Sequence, residues 1–250
     1  MRLHDYSVRA ENVCRWPVFA QTARVYGVEV EVEPRQHSGR AAILNGLGSS
    51  ESDFFCKTDG SLGAGGVEIV TVPGSLEWHR EVFNWSAKLR PLLAIAMSGA
   101  RTNRCGMHVH VNRRSLSKLT LGKLLLVINA PEFRAVIVAL AQRPMNRWAA
   151  ASRKEWHDVV MPDAHQADRY QALNLTRQTC EFRIFRGSLR ADRILKNLET
   201  CDALIQWCYD RPAHAIIDPV TFLGYVMERA RDWPNLSEFI NETGLTQDLA

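Results

Sequence analysis

Between Arg24 and Glu33 the chain runs Arg-Val-Tyr-Gly-Val-Glu-Val-Glu-Val-Glu, and so strict an alternation admits few conformations. In a β-strand it puts Val28, Val30 and Val32 on one side and Glu29, Glu31 and Glu33 on the other. We therefore read a strand with an acidic face, ended by Pro34. Three carboxylates one strand-face apart repel one another, so a counter-charge is expected beside them. Hard oxygen ligands of this kind suit Mg²⁺ or Mn²⁺. The alternative is a solvent-facing edge of an antiparallel sheet, with the glutamates simply pointing at water.

Further period-2 segments follow. Asp53-Phe-Phe-Cys-Lys-Thr-Asp59 leads into a glycine-rich turn through Gly60, Gly63, Gly65 and Gly66, and Val67-Glu-Ile-Val-Thr-Val72 is a second short strand before Pro73. Arg35 to Ser52, rich in Gly, Ser and Asn, reads as a loop. Ser75 followed by Glu77 opens a helix that Pro91 kinks or ends. Cys105-Gly-Met-His-Val-His-Val-Asn112 alternates again, and Ser117 caps a helix toward Gln142 with a break at Pro131. Tyr170–Leu175 and Thr179–Arg186 pair as a hairpin, and Ile194, Leu198, Cys201, Ile205 and Cys208 recur at helical spacing over 190–209. Residues 143–167 carry no readable period. The class is α+β, and the 250 residues are taken as one domain, with core strands within 25–190 and C-terminal helices over 190–245.

Composition narrows the function classes. With 46% hydrophobic and 23% charged residues the chain is globular, not disordered or collagen-like. Its net charge of +4 comes from scattered Lys and Arg, which fits a nucleotide-using enzyme as well as a nucleic-acid binder. The six cysteines form no C-x-x-C pair and no zinc-ribbon spacing, so they are expected as reduced thiols. No apolar signal region follows Met1, which points to the cytoplasm. The longest apolar stretch, Leu124 to Leu140, is cut by Asn129, Pro131, Glu132 and Arg134, so no membrane span and a soluble protein are expected.

Two more pairs carry polar chemistry. His108 and His110 share one strand face, a spacing that lets one imidazole bind a metal while the other holds a phosphate or a carboxylate. The competing reading is two half-buried histidines satisfied by their neighbours. Glu181 and Arg183 present a carboxylate and a guanidinium side by side, or else form a surface salt bridge; Arg186 falls on the opposite face by parity.

Together these strands resemble the catalytic strands of the glutamine synthetase and glutamate–cysteine ligase superfamily, and most closely the bacterial and phage amidoligases. The resemblance covers residues 25–190. It implies a curved antiparallel catalytic sheet of about six strands with helices on its outer face. Gly27-Val-Glu-Val-Glu-Val-Glu33 is similar to the first catalytic strand, so Glu29 and Glu31 correspond to its metal-binding E-x-E pair. Gly65-Gly-Val-Glu-Ile-Val70 is similar to the second acidic strand, with Glu68 as a ligand. Cys105-Gly-Met-His-Val-His110 resembles the G-M-H-x-H strand, with His108 on metal and His110 near nucleotide phosphates. Glu181-Phe-Arg183 resembles the last E-x-R strand, with Glu181 on metal and Arg183 on the transferred phosphoryl group. The implied pairing is Glu31 with Glu68 on one ion, and Glu29, His108 and Glu181 on the other. Asp59-Gly-Ser-Leu resembles a D-x-S-L turn of amidoligases, placing Asp59 and Lys57 at the substrate end; Arg186 is a further nucleotide contact.

What the resemblance implies is an ATP- and Mg²⁺- (or Mn²⁺-) dependent carboxylate–amine ligase that makes an amide or isopeptide bond through an acyl phosphate. Its partners would be ATP and small-molecule or peptide carboxylates and amines, with neither membrane nor nucleic acid. The alternatives are a guanidino-kinase-like phosphotransferase and a non-catalytic binding module. The chain is far shorter than glutamine synthetase, so substrate identity and subunit number are not carried over.

Overall fold

In the computed structural model the alternating run is a nine-residue strand, and its neighbours assemble around it. The structure describes residues 1–15, 17, 19–99, 104–144 and 171–246. These fall into two compact units, one of Met1–Val111 with Arg186–Ile194 and one of Asn112–Phe185 with Leu195–Ala250.

The first unit holds β1 (Leu3–His4), β2 (Tyr26–Pro34), α1 (Arg40–Gly46), β3 (Phe54–Lys57), β4 (Val67–Thr71), α2 (Trp85–Leu89), β5 (Ala96–Met97) and β6 (Gly106–Asn112). The strand order is β1-β3-β4-β2-β6, with β5 paired to the end of β2. Register follows from the alternation. Glu31 stands opposite Glu68, Glu29 opposite His108, and Lys57 opposite Glu68. Because directly opposed residues share a face, one side collects Lys57, Glu68, Glu31, Glu29, His108 and His110. The other carries Cys56, Ile69, Val28, Val30, Val32, Met107 and Val109, all buried. Burying such a valine stabilises by about 1.5–3 kcal/mol, so this apolar face fixes which way the acidic face turns.

The polar face has an apolar patch of its own, where Phe55 and Val70 sit under Cys14, Val8, Ala10 and Val13. Ser75 does act as a cap, its hydroxyl accepting from the Trp78 amide at 3.1 Å. The expected single helix is nonetheless broken. A wide turn spans Trp78–Val82, Asn84 takes a left-handed φ of 53°, and α2 restarts with the Asn84 side chain as its cap. Here Trp78, His79, Phe83 and Trp85 stack against one another, with Phe83 and Trp85 centroids 4.4 Å apart. Clustered aromatic burial outweighs helical continuity.

The second unit contains α3 (Lys118–Asn129), α4 (Arg134–Ala141), the hairpin β7 (Leu173–Leu175) and β8 (Thr179–Arg186), α5 (Ala191–Asp210), α6 (Pro219–Glu228) and α7 (Pro234–Thr243). Ser117 caps α3, its hydroxyl accepting from Thr120 at 3.0 Å. The chain bends by 88° between α3 and α4 at the Pro131 break. No single helix among the described residues is long and apolar enough to cross a membrane. Along α5 the expected stripe of Ile194, Leu198, Cys201, Ile205 and Cys208 is fully buried. Its polar residues are accounted for as well. Buried Glu199 accepts from the Leu236 amide at 2.8 Å and from Asn235, which caps the start of α7. Lys123 donates to the carbonyls of Cys208 and Arg211 at the end of α5.

The α+β class is as read, and two details differ. The described residues hold eight strands rather than about six, and β1 runs parallel to β3, so the sheet is mixed rather than antiparallel. The extra strands β1 and β5 are two residues long, too short to leave a period-2 signal. The tract read as a loop over Arg35–Ser52 contains α1, anchored by buried Ile43. Of the unreadable stretch 143–167 and the hairpin's start at Tyr170, residues 145–170 lie outside the described residues. All six cysteines are buried free thiols, and burial pushes Cys14 up to about 11.

One buried titratable group lies within the aromatic cluster. His79 is fully buried and bonded through Nε2 to the Tyr26 carbonyl at 2.8 Å, and burial pulls its pKa down to about 4. A folded pKa below the unfolded one means that the unfolded chain takes up the proton first as pH falls. Stability is complete above about 6.5 and declines toward about 4, by roughly 3 kcal/mol from this group alone. Urea midpoints measured across that interval should fall more steeply for the native chain than for His79→Gln. Parallel slopes would remove His79 from the acid response.

Candidate metal centre

The polar face of the first unit packs four glutamates, two histidines and a lysine onto four neighbouring strands. β2 supplies Glu29, Glu31 and Glu33, β4 supplies Glu68, β3 supplies Lys57 and β6 supplies His108 and His110. Glu31, Glu68 and His108 are all buried, and each offers one ligand atom within 4.8 Å of the others. That spacing suits a single ion held by two oxygens and a nitrogen.

Each glutamate is held differently. Glu31 accepts a hydrogen bond from the Gly106 amide, the residue at the head of β6. Glu29 is ringed by cations and donors, with Lys57 Nζ at 3.1 Å from Oε1 and with His108 Nδ1 and His110 Nε2 each 3.3 Å from Oε2. Lys57 Nζ also lies 3.0 Å from Glu68 Oε2, close enough for an ion pair. Glu33 accepts from the Gly63 amide at 2.8 Å and pairs with Arg104, whose Nε lies 3.0 Å away, so it pins the glycine-rich turn over 60–66. Gly65, at φ 92°, lets that turn close.

These surroundings push the two central carboxyls apart. Burial raises Glu29, but His110, His108 and Lys57 outweigh it and hold the group well below the usual carboxylate range. Glu68 goes the other way, because burial and then the Glu29 charge lift it well above that range while Lys57 only partly opposes them. For Lys57, burial works against the charged form, but Glu29 and Glu68 more than reverse it and leave the ammonium firmly protonated. A deeply buried carboxyl lifted in this way is a condition that a divalent ion relieves.

The remaining site residues have settings of their own. On β8 of the second unit, Glu181 is buried and bonded to Arg183, and it also accepts from the Asn174 amide group at 2.7 Å. Arg186, at the end of that strand, is exposed, as its parity implies. Asp59 spends its carboxylate on a turn, accepting from the Ser61 amide at 2.6 Å and from the Ser61 hydroxyl. Lys57, by contrast, points into the carboxylates of the polar face. Sequence reasoning missed Gly106 as an amide donor, Arg104 as the partner of Glu33, and Asn174 beside Glu181. Only Glu33 had a legible signal, as the third member of the alternating row.

Comparison of the sequence with protein-family models finds no match, and comparison with curated proteins finds none either.

Because burial and the Glu29 charge make Glu68 hold its proton more tightly than an ordinary carboxyl, Mn²⁺ binding should displace that proton. Calorimetric titrations in buffers of different ionisation enthalpy should report proton release that grows less with rising pH and that Glu68→Gln removes. Binding without proton release near neutral pH would show Glu68 already ionised.

Proposed function

We propose that the chain is an ATP- and Mg²⁺- or Mn²⁺-dependent ligase that joins a carboxylate to an amine. The observation that carries this reading is the meeting of Glu31, Glu68 and His108 within 4.8 Å, from three strands far apart in sequence. All three are among the five residues that the resemblance to amidoligases marks as ligands, although it assigns His108 to the other ion. The two carboxylate oxygens suit Mg²⁺ or Mn²⁺, and it is the resemblance, not the imidazole, that selects these ions.

When bound, the ion neutralises phosphate charge and so lets an anionic carboxylate approach the nucleotide. The chain's own groups prepare for that. Glu29 accepts from Nδ1 of His108 and so favours the tautomer whose Nε2 carries a lone pair for a metal. The Gly106 amide orients Glu31 without adding charge. Glu33 and Arg104 hold the glycine-rich turn at the edge of the acidic row. In the second unit, Glu181 holds the Arg183 guanidinium, the kind of group that stabilises phosphoryl oxygens in transfer. His110, beside Glu29, is the candidate for a phosphate contact, and Arg186 the less favoured one because it is exposed.

The test is a screen with Mg²⁺-ATP against a panel of carboxylates, each with and without amines. ADP release that requires both substrates, with a new amide in the product, is expected; Glu31→Gln and Glu68→Gln should each slow it about 100-fold or more. A phosphoguanidine product would establish the kinase alternative instead. Salt-sensitive nucleic-acid binding with no ATP turnover would favour the binding module.

A further inference from the structure

We infer that Gly187 is a positioning residue for Glu31, acting through Ser98 and Gly106. This rests on the metal-site reading above and concerns how one of its ligands is held, whatever the number of ions bound.

Glu31 is gripped at both its backbone and its side chain. Its carbonyl accepts from the Ser98 hydroxyl at 2.7 Å, and its carboxylate accepts from the Gly106 amide. Both donors are buried and come from separate segments of the first unit. Ser98 directly follows β5, which pairs with the end of β2, and Gly106 opens β6. Gly187, the residue after β8, belongs to the same unit and lies against both segments. Its amide donates to the Cys105 carbonyl at 3.4 Å, one residue ahead of Gly106.

The fit depends on the missing side chain. A Cβ on Gly187 would collide with Ser98 Oγ and stand 2.8 Å from the Gly106 carbonyl oxygen. Gly99 answers from the opposite side, where a Cβ would stand 2.5 Å from the Gly187 carbonyl oxygen. Neither glycine takes a positive φ, so close approach, not backbone conformation, demands glycine here. The Ser98 hydroxyl sits in the very space a larger residue at 187 would fill. Such a residue would push the hydroxyl away from the Glu31 carbonyl and shift the Gly106 backbone whose amide holds the carboxylate. Losing a group that orients a metal ligand weakens binding by about 10- to 100-fold.

The experiment is Mn²⁺ titration of the full chain, followed by electron paramagnetic resonance of free and bound Mn²⁺, with a urea midpoint for each variant. Glu31→Gln identifies the Mn²⁺ that depends on this ligand. Gly187→Ala should weaken that same ion about tenfold or more. Ser98→Ala, which adds no atom, should weaken it by about 2- to 10-fold. Gly74→Ala is the control, because its Cβ would collide with the Trp78 ring in the same unit; it should lower stability and leave Mn²⁺ affinity unchanged. Native affinity in folded Ser98→Ala would overturn the inference even if Gly187→Ala fails to fold. Equal weakening by Gly74→Ala would overturn it too, by reducing the effect to general destabilisation. A native chain that binds no Mn²⁺ would instead overturn the metal-site reading, and this inference with it.

Discussion

The repulsion among Glu29, Glu31 and Glu68 governs the first unit. Two carboxylates about 4 Å apart repel by about 4 kcal/mol at the effective dielectric of a protein interior, and burial removes the water that would soften the effect. The chain answers each charge separately. Lys57 bridges Glu29 and Glu68, the Gly106 amide serves Glu31, and Arg104 takes Glu33. What is left over is concentrated on Glu68, whose carboxyl is lifted well above its ordinary range. Such a concentration of buried negative charge is a condition that an apolar core never produces.

The second unit handles buried polarity by a different means. Two of its buried charges, Glu199 and Lys123, are matched to helix ends. Glu199 accepts from the amide at the start of α7, and Lys123 donates to carbonyls at the end of α5. Both placements satisfy backbone groups that a helix cannot satisfy internally. Lys196, also buried, lies 4.7 Å over the Phe239 ring and donates to the Leu140 carbonyl. These groups hold the helices in place, whereas the carboxylates of β2 and β4 face one another across paired strands.

Much of this could be read from the amino acids, for reasons that differ by element. The β2 strand was legible because six consecutive residues obey one period. The helix breaks at Pro131 and the cap at Ser117 were legible because proline and serine act locally. The α1 helix was hidden by the glycines and serines around it, and only the burial of Ile43 reveals why it forms. Likewise, the need for a cation beside the glutamates followed from their spacing. That a lysine 28 residues away supplies it depends on the register of β3, which no local pattern announces. Glu68 and His108 were marked by resemblance to a family, but their approach to Glu31 is a property of three strands in register.

That register has a consequence for how the chain reaches its fold. A slip of β2 by one residue against β4 or β6 would turn three glutamates into the valine-lined side and expose three valines in exchange. No nearby misalignment is tolerable, because every odd shift strands several charges in hydrocarbon at once. Acidic alternation thus proofreads strand pairing during assembly, rejecting wrong alignments before the rest of the sheet can close upon them.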